Sequence, residues 1–197
     1  MDFRPITPDE LLPLAEYDLK RDEIRASIIT LKNLRRVEVG PWVSAVFEDR
    51  RTVLYQIQEM LRVERITKPE AVRHEIETFS DLLPKPGELS ATIFIEIPDP
   101  VQREAALSQL GGIEKHVRIR AGGLMAPAVD KRPIDPRFER AGRASAVYYL
   151  GFPFGDAARE AFLRGPDDVW LEIGHARYKH AAALSPETRK SLSNDLL

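Results

Sequence analysis

The side chains best suited to chemistry gather in one segment, Arg51-Thr-Val-Leu-Tyr-Gln-Ile-Gln-Glu-Met-Leu-Arg-Val-Glu-Arg65. At about 100° per residue, Val53, Leu54, Ile57, Met60 and Leu61 form an apolar helical stripe, and Glu64 projects near its middle. A carboxylate there has two outlets. It reaches solvent from the last helical turn, or it is buried beside a partner, where its pKa rises or it anchors a metal. Tyr55, Glu59 and Arg62 share the other side of the helix, as ordinary solvated polarity or as a cradle for a small ligand or partner loop.

Four histidines remain to be placed. His74 falls opposite Val72, Ile76 and Phe79 and reads as exposed. His116 shares a strand face with Glu114, Arg118 and Arg120, the pattern of a solvated edge. His175 is in phase with the apolar Val169, Leu171 and Ile173 at a strand end, so it is either a satisfied core histidine or a ligand or proton carrier at a cleft mouth. His180, beside Tyr178 and Lys179, reinforces either reading. A mononuclear metal site would draw on His175 or His180 with carboxylates such as Glu64, Glu59 or Glu96. Glu172-Ile-Gly-His175 has the letters of a helical metal motif, but a strand sends those two residues to opposite faces. No phosphate-binding glycine loop, Gly-x-Ser-x-Gly elbow or dinucleotide fingerprint is present. Arg137, Arg140 and Arg143 read as a solvated loop, with no aromatic platform beside them for stacking bases.

The elements that must position these residues announce themselves by repetition. Ser90-Ala-Thr-Ile-Phe-Ile-Glu-Ile-Pro98 lies over Ser145-Ala-Val-Tyr-Tyr-Leu-Gly-Phe-Pro153, each followed by a helix carrying Arg-Glu-Ala, a glycine stop (Gly111-Gly112; Gly165-Pro166) and a second apolar strand. Two β-α-β units in succession predict an α+β chain with a ferredoxin-like β-α-β-β-α-β core, an antiparallel sheet of order 4-1-3-2. That order sets His116 and His175 at opposite edges, three strand spacings or about 14 Å apart, too far to share an ion within one subunit. Ahead of this core, Thr7-Pro8-Asp9-Glu10 predicts a helix running to about Arg35, and Val37–Phe47 a strand or bent hairpin. Helices are then expected from Arg51 to Arg65 and, after Thr67-Lys-Pro69-Glu70, to Phe79. Pro84-Lys-Pro86 marks a boundary, giving an N-terminal region 1–86, a core 87–176 with an insertion loop 121–142, and a C-terminal helix within 177–197.

Ala91, Ile93, Ile95 and Ile97, with Ala146, Tyr148, Leu150 and Phe152, form one apolar sheet face. The other carries Ser90, Thr92, Phe94, Glu96, Val147 and Tyr149 and needs cover, from the N-terminal helices or from a second subunit in a homodimer. A cleft between that mixed face and its cover is where a site belongs, with Glu96 and Tyr149 as ligand-binding candidates.

Composition narrows the function. A chain of 197 residues with no cysteine has no disulfide, no thiolate nucleophile and no iron-sulfur cluster held by its own cysteines. With 29 basic and 31 acidic residues interspersed and a net charge of -2, no global field draws nucleic acid. No secretory signal or run of about 18 apolar residues appears, so a soluble cytoplasmic protein with no membrane partner is expected.

The segments Phe47-Glu48-x-Arg50-x-Thr52-Val53, Gln56-Ile-Gln-Glu-Met60 and Pro86-Gly-Glu-Leu-Ser-Ala-Thr92 resemble those of a bacterial family of uncharacterised proteins of about this length. That family, a domain of unknown function, tends to be encoded beside a rubrerythrin-like diiron protein and an iron-sulfur protein resembling heterodisulfide reductase subunits. The resemblance implies an accessory role near cytoplasmic iron or peroxide-linked redox metabolism, with a rubrerythrin-like or iron-sulfur oxidoreductase as partner. It also adds Gln56 to Tyr55, Glu59 and Arg62 as binding candidates. Three readings follow: an accessory protein acting by docking, through the mixed sheet face or the arginine-bearing loop; a non-haem transition-metal protein or metalloenzyme using Glu64, His175 and His180; and a small-molecule-sensing ferredoxin-like module.

Overall fold

The computed structural model describes residues 3–132, 142–164 and 169–197. Pro8–Glu10 forms a single 3-10 turn, tied by Thr7 N and Thr7 Oγ1 donating to Glu10 Oε1 at 2.9 and 3.0 Å. The helix expected to continue from it breaks at Leu11–Pro13. Leu11 is already extended, and proline disfavours the helical conformation in the residue before it, so α1 starts afresh at Leu14, running to Leu34. β1 (Arg36–Val39) and β2 (Val43–Glu48) make a hairpin about Gly40, whose φ of +74° suits glycine.

α2 (Arg50–Val63) follows β2 after one residue. Asp49 caps it by accepting from Arg51 N and Thr52 N at 2.9 and 3.0 Å. α3 spans Pro69–Ser80, capped at Lys68 without a side-chain bond, so the capping box expected at Thr67 does not form.

The two repeated units exist, and they assemble differently from the ferredoxin-like expectation. Their first strands, β3 (Glu88–Ile95) and β7 (Val147–Pro153), pair antiparallel, with Thr92 opposite Tyr149. Their second strands, β4 (Val117–Ala121) and β8 (Val169–His175), also pair antiparallel, with Ile119 opposite Leu171, but in another sheet. The first sheet has order β1-β2-β3-β7-β6 and the second β5-β4-β8-β9, where β5 is Leu124–Pro127, β6 Val129–Asp130 and β9 Tyr178–Ala183. The physical reason lies in the N-terminal hairpin. β2 occupies the flank of β3 that the fourth strand of a 4-1-3-2 sheet would take, so α4 (Pro100–Leu107) and α5 (Asp156–Arg164) each carry the chain from one sheet to the other.

Both sheets bury one face in a common core. Ala45, Phe47, Ala91, Ile93, Leu150 and Phe152 come from the first, and Val117, Ile119, Leu171 and Ile173 from the second. Each fully buried large side chain of this kind contributes about 1.5–3 kcal/mol. Leu107 of α4, Phe162 of α5 and Leu192 and Leu196 of α6 (Pro186–Leu196) join the same core. The first sheet runs through the proline-rich joint without interruption, since β2 pairs with β3 across it. The expected insertion loop opens as the β4–β5 hairpin and returns as β6; Arg137 and Arg140, like the helix stop at Gly165-Pro166, lie outside the described residues. Residues 178–183, expected to lead into a helix, extend the second sheet as β9. Among the described residues no helix is long and apolar enough to cross a membrane.

Candidate functional site

The mixed face of the first sheet is covered from within the chain. Val53, Ile57 and Leu61 of α2 and Ile76 of α3 form a second apolar cluster against which Tyr149 packs. That cover buries Ser90 and Thr92 and leaves Glu96 exposed. Under the helices lies a polar seam centred on Glu48, which is 1 % exposed. Thr52 Oγ1 donates to Glu48 Oε2, while Thr92 Oγ1 and Gln56 Nε2 donate to Oε1 at 2.6 and 3.0 Å. Thr52 and Gln56 are four residues apart, so α2 presents both on the side that faces the strand end it grew from. Further along, Lys131 Nζ donates to Glu88 Oε1 at 2.5 Å and to Leu83 O at 2.8 Å, and comes within 3.4 Å of Ser90 Oγ. Burial pulls the Lys131 ammonium below its ordinary pKa against the opposing pull of Glu88. A serine beside a lysine is a known nucleophile arrangement. Here Ser90 is 2 % exposed, out of reach of a substrate. The seam ends where Arg132 lies between Phe79 and Tyr149, its guanidinium 5.4 and 5.2 Å from the two ring centres.

The seam collects residues from all three family-like segments: Glu48 and Thr52 from the first, Gln56 from the second, Glu88, Ser90 and Thr92 from the third. Of the binding candidates only Gln56 and Tyr149 lie there. Glu59 accepts from Tyr17 Oη at 2.6 Å and from Arg21 Nε and Nη2 at 2.8 and 2.9 Å, and Arg62 donates to Asp18 at 2.8 Å. These contacts fasten α1 to α2. Arg21 holds the Glu59 carboxyl below its ordinary pKa, and burial followed by Glu59 raises the Tyr17 phenol. Tyr55 lies under Lys32, 6.0 Å from its ring centre, and its phenol too is raised by burial. It borders a groove of about 310 Å³ between α1 and α2 that includes Ile24, Ile28 and Leu54. Glu96 is engaged by Arg36 Nη1 at 3.0 Å and Ser44 Oγ at 2.5 Å.

The metal candidates do not converge. Glu64 is the C-cap of α2 and exposed, the solvent outlet of its two alternatives. His175 is buried at the end of β8, and its Nδ1 accepts from Arg177 N at 3.2 Å. His116 was expected 14 Å away on a strand. It closes a 3-10 turn, Ile113–His116, and its ring centre is 5.4 Å from that of His175, because β4 and β8 are neighbours. His180 is exposed and packs on Tyr178, 4.4 Å between ring centres. His74 is exposed, as its phase on α3 indicates. Among the described residues no three His, Asp or Glu side chains are grouped to hold a metal ion.

A second feature lies where the sheets meet. Tyr178 Oη donates to Val39 O at 2.7 Å and accepts from Trp42 N at 3.1 Å, pinning the β1–β2 turn to β9. Gly40 must remain bare there, since a Cβ would fall 2.5 Å from His180 Cγ. Trp42 stacks on Tyr178 with ring centres 5.6 Å apart and 24° between planes, yet stays 37 % exposed. It forms one wall of a surface cleft of about 440 Å³ whose other walls include Gln102, Ala105, Gln109 and Leu110 at α4 and Arg177 in the β8–β9 turn.

The chain belongs to the family described as "Protein of unknown function (DUF3501)", whose model matches residues 5–196. It is similar to a protein of unknown function from Burkholderia pseudomallei K96243, known from a crystal structure, with 34 % identity and a TM-score of 0.88 over 98 % of this chain and 100 % of that one. No curated protein matches the sequence.

Glu48, Thr52 and Lys131 escaped attention in the sequence, although a strand-ending glutamate followed at +4 and +8 by polar residues was a usable signal. Trp42 and Arg177, 135 positions apart by number, left none.

Proposed function

We propose that the protein is a non-catalytic accessory that docks onto a partner of a cytoplasmic iron or iron-sulfur redox system, a rubrerythrin-like diiron protein or an iron-sulfur oxidoreductase. One observation carries the docking: the exposed Trp42, held rigid on Tyr178, beside a cleft with an arginine at its rim. Tryptophan, tyrosine and arginine are the residues that dominate protein interfaces, and a pre-organised aromatic loses little entropy on binding. The polar seam has a different part in this reading. The three donors to Glu48 join β2, α2 and β3, so the seam fastens the covering helices to the sheet.

Of the mixed face, the part around Ser90 and Thr92 is buried beneath α2 and α3, and Arg143 of the arginine series is paired with Glu104 at 3.0 and 2.7 Å, so the reading rests on the Trp42 cleft. The identity of the partner rests on the family resemblance alone. The test is to mix the purified protein with each of the two candidate redox proteins encoded in the same genome and determine the mass in solution. A complex heavier than either component, weakened when Trp42 is changed to alanine, is expected. No heavier species with either partner would exclude the proposal.

A further inference from the structure

We infer that the Trp42 cleft is built for an acidic segment of the partner, one that inserts an apolar side chain and places a carboxylate against Arg177. The inference rests on the docking reading and adds the chemistry of what docks. The floor and walls, Trp42, Ala105 and Leu110, offer apolar surface, and Gln102 and Gln109 offer amides. Arg177 is the one charged residue among the described residues that line it. Arg177 is exposed and has no carboxylate partner among the described residues.

Three acids of the neighbouring elements are engaged. Glu96 is held by Arg36, Glu104 by Arg143, and Asp99 caps α4 by accepting from Gln102 N at 2.7 Å. An exposed arginine at the rim of an apolar cleft is complementary to an apolar residue beside an Asp or Glu, and such complementarity governs partner choice and association rate. The turn that carries Arg177 is braced from beneath. Arg177 N is held by His175 Nδ1 and Tyr178 Oη by the β1–β2 turn, so the guanidinium is presented from a fixed backbone.

Two blocked pentapeptides make the test, one with a central leucine flanked by aspartates and glutamates, the other with the same leucine flanked by asparagines and glutamines. The chain has two tryptophans, so its two indole N–H signals in a nitrogen-proton correlation spectrum are separable, with Trp170→Phe assigning them. The acidic peptide is expected to shift the Trp42 signal and leave that of Trp170 in place. The Arg177→Glu variant should bind it roughly tenfold more weakly, and added salt should weaken binding to the parent. Equal shifts from both peptides would overturn the acidic preference and leave docking at Trp42 standing. No shift from either at millimolar concentration overturns the inference too, while the docking reading is judged separately by the mass of the mixture with intact partners. Should that variant unfold, Ala105→Arg, a change on the exposed side of α4 that crowds the cleft, must abolish the shift.

Discussion

Glu48 has both carboxyl oxygens engaged by neutral donors, Thr52 on one and Gln56 and Thr92 on the other. Removing it strands donors that water cannot reach. Glu48→Ala should lower stability by about 2–4 kcal/mol, seen as a lower urea midpoint with an unchanged slope. Glu48→Gln keeps an acceptor oxygen and should cost roughly half as much. The side chains of this seam were half legible from sequence. Period-2 alternation in β3 and β7 placed Ser90, Thr92 and Tyr149 on the face that needed cover. It could not show Lys131 arriving 41 positions later, because no local pattern encodes a lysine that crosses from β6 to Glu88. Glu64 shows the converse limit: its phase on the helical wheel pointed inward, but the helix ends there and the side chain turns out to solvent.

The helices and hairpins were easier to read than their joints. Caps at Asp49, Asp99 and Ser185 act locally and fix the starts of α2, α4 and α6. The short turn before α1 depends on a longer reach, because Arg50 at the start of α2 donates to Glu10 at 2.6 Å. That hydrogen bond holds the Glu10 carboxyl down to about 2. A carboxyl depressed in the folded state stabilises fully above its ordinary pKa of 4.5 and loses that contribution as pH falls towards 2. Glu10→Gln should therefore be less stable than the parent near pH 6, and the gap should close by about pH 2, measured by denaturant titration across that window. The β1–β2 turn offers a parallel test. Tyr178→Phe leaves Val39 O and Trp42 N without their shared partner, which should cost about 1–2 kcal/mol and increase the mobility of the Trp42 indole, measurable by fluorescence anisotropy.

Assembly of the two sheets is where the sequence misled, and the cause is general. A β-α-β repeat states which segments are strands and leaves open which strands are neighbours. The N-terminal hairpin, lying outside the repeat, took the flank of β3 and sent β4 and β8 into a sheet of their own. The same rearrangement brought His116 to His175 and set Trp42 and Arg177 on one surface cleft. Long-range closure is completed at the C-terminus, where Arg35 donates to Asp195 of α6 as well as to Phe47 O and Glu48 O. Both partners are buried, so Asp195→Ala leaves an uncompensated cation inside and should destabilise the whole chain by about 3–5 kcal/mol in a single unfolding transition. The proposed docking site is the Trp42 cleft, whose lining includes neither Arg35 nor Asp195. Calorimetric titration of the redox partner that forms the heavier complex into the parent protein and into Trp42→Ala decides the matter. With the variant's melting temperature unchanged, docking through the cleft requires binding to weaken by roughly tenfold or more; equal affinity for the two would contradict it.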